Sequence, residues 1–160
     1  MIVFPNCKIN FGLHILRKRT DGFHDLETVF FPVSLQDALE IVQSPSSIQT
    51  VQFTSSGLSI DAAAEDNICV KAYRLLKNDF ADLPPIKMHL HKVIPSGAGL
   101  GGGSSDGAFT LALLNKKFNL NLSEEQLINY ALRLGSDCPF FIKNKPCFAK
   151  GRGEQLQEIQ

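Results

Sequence analysis

Between Pro95 and Gly107 the chain reads Pro-Ser-Gly-Ala-Gly-Leu-Gly-Gly-Gly-Ser-Ser-Asp-Gly, which holds six of its twelve glycines. An apolar run from Ile86 to Ile94 precedes this stretch and a helical pattern from Ser104 to Phe118 follows it. The order is strand, glycine loop, helix. Glycine takes positive φ without penalty and lets the backbone approach an anion closely. A helix start adds unpaired N–H groups and the positive end of the helix dipole. The stretch therefore predicts an α/β arrangement with an anion-binding loop at a strand-to-helix junction.

Three known loop patterns can be tested against it. A P-loop ends in Gly-Lys-Ser/Thr, whereas Gly102 here is followed by Gly103 and Ser104 with no lysine in the loop. Gly97-x-Gly99-x-x-Gly102 satisfies the letters of a dinucleotide fingerprint, but that unit needs an acid at the end of a second strand about 20 residues on. The chain there reads Asn119-Leu120-Asn121-Leu122-Ser123-Glu124, the opening of another helix. Gly103-Ser104-Ser105-Asp106-Gly107 matches a nucleophile elbow, whose histidine must follow the serine. His14, His24, His89 and His91 all precede it.

The chain of 160 residues suffices for one domain with its own core. Sixteen basic and sixteen acidic residues cancel, so no net field recruits nucleic acid. No apolar run is long enough to span a membrane, and Met1–Asn6 lacks the features of a signal peptide, which predicts a cytoplasmic protein. Cys7, Cys69, Cys138 and Cys147 show no zinc-ligand spacing and are expected as reduced thiols. The sequence is silent on oligomeric state.

Along the chain, alternation predicts strands over Val3–Leu16, Phe23–Val33 (ending at Pro32), Asp37–Val42 and Ile48–Phe53, with a hairpin turn at Asp21-Gly22 and a polar loop over Gln43–Ser47. A helix is expected over Asn67–Phe80, capped by Asp66 or Asn67, and Pro84-Pro85 then breaks the chain before a strand over Ile86–Ile94. The helix after the glycine loop is apolar nearly all round and should be buried. A capping box at Ser123–Gln126 opens a third helix that Gly135 stops. Short strands are expected over Cys147–Lys150 and Gln155–Ile159, around Gly151-Arg152-Gly153. His89 and His91 share a strand face without a third ligand and read as structural. Asp106 reads as an acid favouring the helix dipole. By local sequence, Gly135-Ser136-Asp137-Cys138-Pro139 is a helix cap with proline in the first turn.

Two further stretches join the loop: Pro5–His14 continuing through Arg19-Thr20-Asp21-Gly22-Phe23-His24-Asp25-Leu26-Glu27-Thr28, and Leu134-Gly135-Ser136-Asp137-Cys138-Pro139-Phe140-Phe141. Together the three resemble the superfamily of galacto-, homoserine, mevalonate and phosphomevalonate kinases. Within it they resemble the branch that phosphorylates the 2-hydroxyl of a methylerythritol carried on cytidine diphosphate, in non-mevalonate isoprenoid synthesis. Cys7, Phe23 and Asp25 stand where that branch usually has alanine, tyrosine and glutamate. The resemblance implies a two-layer fold like domain 2 of ribosomal protein S5: a mostly antiparallel, mixed sheet with helices on one face. It also implies that residues 1–160 form an N-terminal ATP-binding domain, with a second domain of the family lying outside this sequence.

What the resemblance implies for the site is specific. Lys8 and Asp137 are the catalytic pair, Asp137 as general base with the ammonium beside it. Pro95, Gly97, Gly99, Leu100, Gly101, Gly102, Gly103, Ser104 and Ser105 hold ATP, the two hydroxyls meeting phosphate or Mg²⁺, while Asn67 and Lys92 border the adenine. Asn10, Phe23 and His24 bind the cytidine substrate, His24 at the cytosine edge and Phe23 by stacking. Another kinase of the superfamily and a non-catalytic nucleotide-binding module are the rival readings. An RNA-binding protein would want a basic surface.

Overall fold

Alternating burial along the strands lays out the architecture. On β4 (Ala38–Gln43), Leu39 and Ile41 are buried while Glu40 is exposed; on β6 (Ile86–Lys92), Ile86, Met88 and Leu90 are buried while Lys87 and His91 are exposed. One face of this sheet therefore belongs to a core and the other to solvent. The computed structural model of the chain describes residues 1–45, 51–60 and 63–159. Residues 46–47 of the expected polar loop and 48–50 of the expected fourth strand lie outside the described residues.

The remaining elements are β1 (Ile2–Val3), β2 (Asn6–Lys18), β3 (His24–Gln36), β5 (Val51–Gly57), a 3-10 turn (Ala64–Asp66), α1 (Ile68–Asp79), α2 (Gly102–Phe118), α3 (Glu124–Leu134), α4 (Cys138–Lys143), β7 (Cys147–Lys150) and β8 (Gln155–Glu158). Among the described residues the strands form two four-stranded sheets, ordered β1-β4-β6-β5 and β2-β3-β7-β8. Every pairing is antiparallel except β5 with β6, which α1 connects as a parallel crossover. This is the mixed, mostly antiparallel α/β architecture expected, with its strands divided between two sheets rather than gathered in one. A single hydrophobic cluster joins them through the helices. It takes in Leu39, Ile41 and Met88 from the first sheet, residues of all four helices, and Phe30, Cys147 and Ala149 from the second.

Local chemistry explains most boundaries. Asn67 caps α1, its side chain accepting from the Cys69 N–H. The Ser123 and Gln126 side chains satisfy each other's backbone N–H groups at the start of α3. α2 is buried along most of its length, as its all-round apolar sequence requires. Gly135 ends α3 in an extended conformation (φ 173°), not the left-handed one, whereas Asn119 and Asn144 close α2 and α4 at φ 51°. β3 does not stop at Pro32. Along β3, β7 reaches only Thr28–Phe30, so at Pro32 the strand has β2 alone beside it and the missing N–H costs no ladder bond on the open side.

One glycine fixes how β5 leaves its partner. At Gly57 (φ +82°) a Cβ would stand 2.2 Å from the Lys92 carbonyl oxygen, which accepts from the Leu58 N–H. Backbone lies against backbone there, with no flexible side chain to yield. Gly57→Ala should therefore destabilise the chain by about 2 kcal/mol or more, read as a lowered denaturant midpoint at unchanged slope.

Candidate functional site

The glycine loop leaves β6 at Val93 and Ile94 and enters α2 at Gly102. Its glycines do different work. Gly97 and Gly99 hold positive φ (73° and 74°) with nothing within 4 Å of a Cβ, so they shape a strand of backbone that faces open space. Gly101 (φ 71°) and Gly102 are pinched instead. A Cβ on Gly101 would stand 3.0 Å from the Phe141 ring and 3.2 Å from Lys8 Cγ, and one on Gly102 would stand 2.7 Å from Ile94 and 3.0 Å from Lys92 Nζ. α2 has no side-chain cap, and its first hydrogen bond runs from the Ser105 N–H to the Gly101 carbonyl. The N–H groups before it are those a helix leaves unpaired. The Ser105 hydroxyl is buried without a partner among the described residues, and burial pushes the pKa of the Cys138 thiol up to about 12.

Beneath the loop lies Lys92. Its ammonium donates to Asp37 and, at 2.8 Å, to Asp106, and all three side chains are buried. The other oxygen of Asp37 accepts from the Val93 and Ile94 N–H groups, the last peptides before the loop. Burial alone would discharge Lys92, but the two carboxylates outweigh it and raise its pKa. Asp106 is not the first-turn acid expected. It is the fifth residue of α2 and faces the core, where burial, only partly offset by Lys92, pushes its carboxyl up to about 7. Its second oxygen has no partner among the described residues. The structure thus gives Lys92 and Asn67, both expected beside an adenine, tasks inside the protein: one clamps the loop's ends and the other caps α1.

Lys8 sits on β2 against the loop. Its backbone N–H donates to the Leu100 carbonyl at 2.9 Å, so strand and loop are bonded at that residue. Its ammonium, almost wholly buried, donates to Asn10 Oδ1 at 2.6 Å, stands 3.8 Å from Asp137 Oδ2 and lies 4.8 Å from the Phe30 ring centre. Desolvation lowers its pKa against the pull of Asp137. Asp137 occupies the cap position of α4, with Pro139 behind it, but makes no side-chain cap bond; its carboxylate is 34% exposed and turns to Lys8. The structure therefore brings together Lys8, Asn10, Asp137 and the loop from Leu100 to Gly102.

Phe23 and His24 lie at the tip of the β2–β3 hairpin, both exposed. Register shifts between Phe11 and Leu13 and between Ile15 and Arg17 mark bulges, which bend a long hairpin. The Asp21 carboxylate accepts from the Phe23 N–H, and Arg17 and Arg19 both bond Asp25, holding its carboxyl below the ordinary range. The turn between β7 and β8 joins this tip to the Lys8–Asp137 pair. The Arg152 guanidinium lies 4.6 Å from the Phe23 ring centre, and a Cβ on neighbouring Gly153 would stand 3.3 Å from Asp137. Sequence reasoning saw only a turn in Gly151-Arg152-Gly153. The one signal was an arginine between two glycines, which says nothing of the distant ring it faces.

On the outer face of the first sheet, His89 and His91 bond Thr54 and Ser56. Among the described residues no group of three His, Cys, Asp or Glu is set to hold a metal ion, and no helix is long and apolar enough to cross a membrane.

Residues 67–145 match the family model described as the GHMP kinases N terminal domain. The chain is 59% identical over 159 residues to the 4-diphosphocytidyl-2-C-methyl-D-erythritol kinase of Bacteroides fragilis strain YCH46, and 60% identical over 159 residues to that of Bacteroides thetaiotaomicron. Each match takes in 99% of this chain and 58% of the relative, so the chain spans a little over half the length of these curated relatives. A crystal structure of 4-(cytidine 5'-diphospho)-2C-methyl-D-erythritol kinase superposes with a TM-score of 0.84 at 33% identity, covering 99% of this chain and 55% of that one. A mevalonate kinase structure shares the fold, with a TM-score of 0.75 at 15% identity over 100% of this chain and 56% of its own.

The clamp under the loop has a pH signature. Folded, Asp106 keeps its proton up to about 7; unfolded, it releases it near its ordinary 3.8. Between these values the folded state binds more protons, so this residue's contribution to stability falls as pH rises from about 4 to about 7. Asp106→Asn removes that slope. Urea midpoints measured at pH 5 and pH 7.5 should show the parent losing ground to the variant at the higher pH.

Proposed function

We propose that the chain belongs to the GHMP kinases and is the ATP-binding part of an enzyme that phosphorylates the 2-hydroxyl of 4-diphosphocytidyl-2-C-methyl-D-erythritol, in non-mevalonate isoprenoid synthesis. The observation that carries the reading is the bond between the Lys8 N–H and the Leu100 carbonyl. It ties a buried ammonium, with a partly open carboxylate 3.8 Å away, to a glycine loop at a helix start. Phosphoryl transfer needs that combination: donors for the phosphates, a compensating positive charge, and a base for the attacking hydroxyl, all held in fixed relation.

In this reading the backbone from Pro95 to Ser105 cradles the phosphates. The unpartnered Ser105 hydroxyl and the open space over Gly97 and Gly99 suit that task. Asp137 accepts the proton of the acceptor hydroxyl. Lys8 offsets charge that develops on the transferring group. Asn10 contacts the acceptor, His24 takes the cytosine edge, and Phe23 stacks on the base with Arg152 behind its ring. Asn67 and Lys92 support the adenine side from beneath, through the α1 cap and the clamp. Mg²⁺, when bound with ATP, neutralises phosphate charge, and the Ser104 and Ser105 hydroxyls are the groups here that suit it.

We assign residues 1–160 to the N-terminal domain of such a kinase. The remaining length of the relatives is proposed to supply a third glycine-rich motif and part of the substrate pocket. Four buried free thiols suit a reducing cytoplasm. The rival, a kinase of the same superfamily with another alcohol, shares the loop and the Lys8–Asp137 pair. It has no use for the Phe23–His24 tip, where the Arg152 guanidinium lies over the Phe23 ring.

Two measurements on the intact protein test this. Asp137→Asn should lower kcat by several orders of magnitude while ATP binding stays close to the parent's; near-normal turnover removes Asp137 as base. His24→Ala should raise KM for the cytidine substrate by about tenfold or more and that for ATP far less. Equal effects on both would sink the cytosine assignment.

A further inference from the structure

Lys8 is held by a hydrogen-bond chain whose direction is set elsewhere. An ammonium only donates, so it needs the oxygen of the Asn10 amide, which it meets at 2.6 Å. A primary amide can face its neighbour with either end, and nothing in Asn10 itself chooses between them. The choice is made at its far end, where Asn10 Nδ2 meets the Thr28 hydroxyl oxygen at 3.0 Å. Thr28 has one hydrogen to give, and gives it to the Gly12 carbonyl, a group that can only accept. Its oxygen is left with lone pairs alone toward Asn10. The amide must then present its NH₂ to Thr28 and its oxygen to Lys8. A flipped amide would set NH₂ against ammonium.

Two features make the arrangement stable. The register shift between Phe11 and Leu13 puts a bulge at Gly12, whose φ of +64° turns its carbonyl to the Thr28 side chain. Thr28 itself is 3% exposed, in the part of β3 that pairs with both β2 and β7, so its hydroxyl has no water competing for it. We propose that Thr28 is a positioning residue for the phosphoryl transfer: through Asn10 it aims the Lys8 ammonium at Asp137, without itself touching substrate. The inference rests on the reading of Lys8 and Asp137 as the catalytic pair.

The test uses the intact protein. Thr28→Val keeps the shape and removes the hydroxyl, and Thr28→Ser keeps the hydroxyl. Thr28→Val should lower kcat by about tenfold or more with KM for ATP changed less than about threefold, and Thr28→Ser should restore most of the loss. Where valine disturbs the sheet, Thr28→Ala makes the same cut. A second readout separates aim from simple destabilisation. In an Asn10→Ala background, Thr28→Val should add almost nothing to the loss in kcat, because the link it acts through is already gone. Normal turnover by folded Thr28→Val, or an equal loss in both backgrounds, overturns the proposal. Asp137→Asn run alongside tells the two failures apart. If it is inactive while Thr28→Val is normal, only the role of Thr28 falls; if it turns over normally, the catalytic reading falls and this inference with it.

Discussion

Lys92 carries a full charge in the middle of the protein, and the molecule is arranged around keeping it there. Its two carboxylate partners come from different parts of the chain: Asp37 from the junction of β3 and β4, Asp106 from α2. Taking three ionisable groups out of water is costly, and their attraction repays the cost only when the remaining donors and acceptors are met. Here the Val93 and Ile94 N–H groups meet one oxygen of Asp37, and the oxygen of Asp106 left without a partner belongs to the carboxyl whose pKa is raised. The net result is less a source of stability than a fixed geometry. Entry to the glycine loop, exit from it, and the start of β4 are all referred to one nitrogen atom.

That reference point explains why the loop needs glycine in two distinct senses. Gly97 and Gly99 are glycines for their dihedral angles, with room to spare. Gly101 and Gly102 are glycines because side chains from β2, β6 and α4 already occupy the volume a Cβ would need. Gly107, further along α2, belongs to a third class, since a Cβ there would stand 2.8 Å from Ile68 and push α1 away. The open half of the loop is thus carried on a half that cannot move without disturbing the clamp, the strand of Lys8 and the helix of Asp137.

What could be read from the sequence was what is local. The strand-loop-helix unit, the Asn67 cap and the Ser123 capping box each depend on residues a few positions apart, and each formed as expected. Motif resemblance supplied Lys8, Asn10 and Asp137, which the fold does bring together. The rest turns on separation. Asp37 and Lys92 lie 55 positions apart, and no periodicity links them. Asp106 looked like a dipole acid because its burial depends on how α2 docks, which its own turn does not state. Arg152 and Phe23 meet only because the hairpin bends at two bulges, and of these only Gly12 leaves a trace in composition. The division into two sheets was hidden for the same reason: alternation tells which face is buried, but not which strand lies alongside.

The Lys8 peptide carries one more implication. Its N–H is bonded to the loop, and its side chain ends beside Asp137. The glycine loop and the ammonium beside Asp137 are therefore separated by the length of a single residue, with no hinge between them. Any shift of the Leu100 carbonyl moves the pivot from which the ammonium is suspended. The position of the loop and the aim of the charge become one coordinate, so a displacement too small to change the shape of the domain is felt at Asp137.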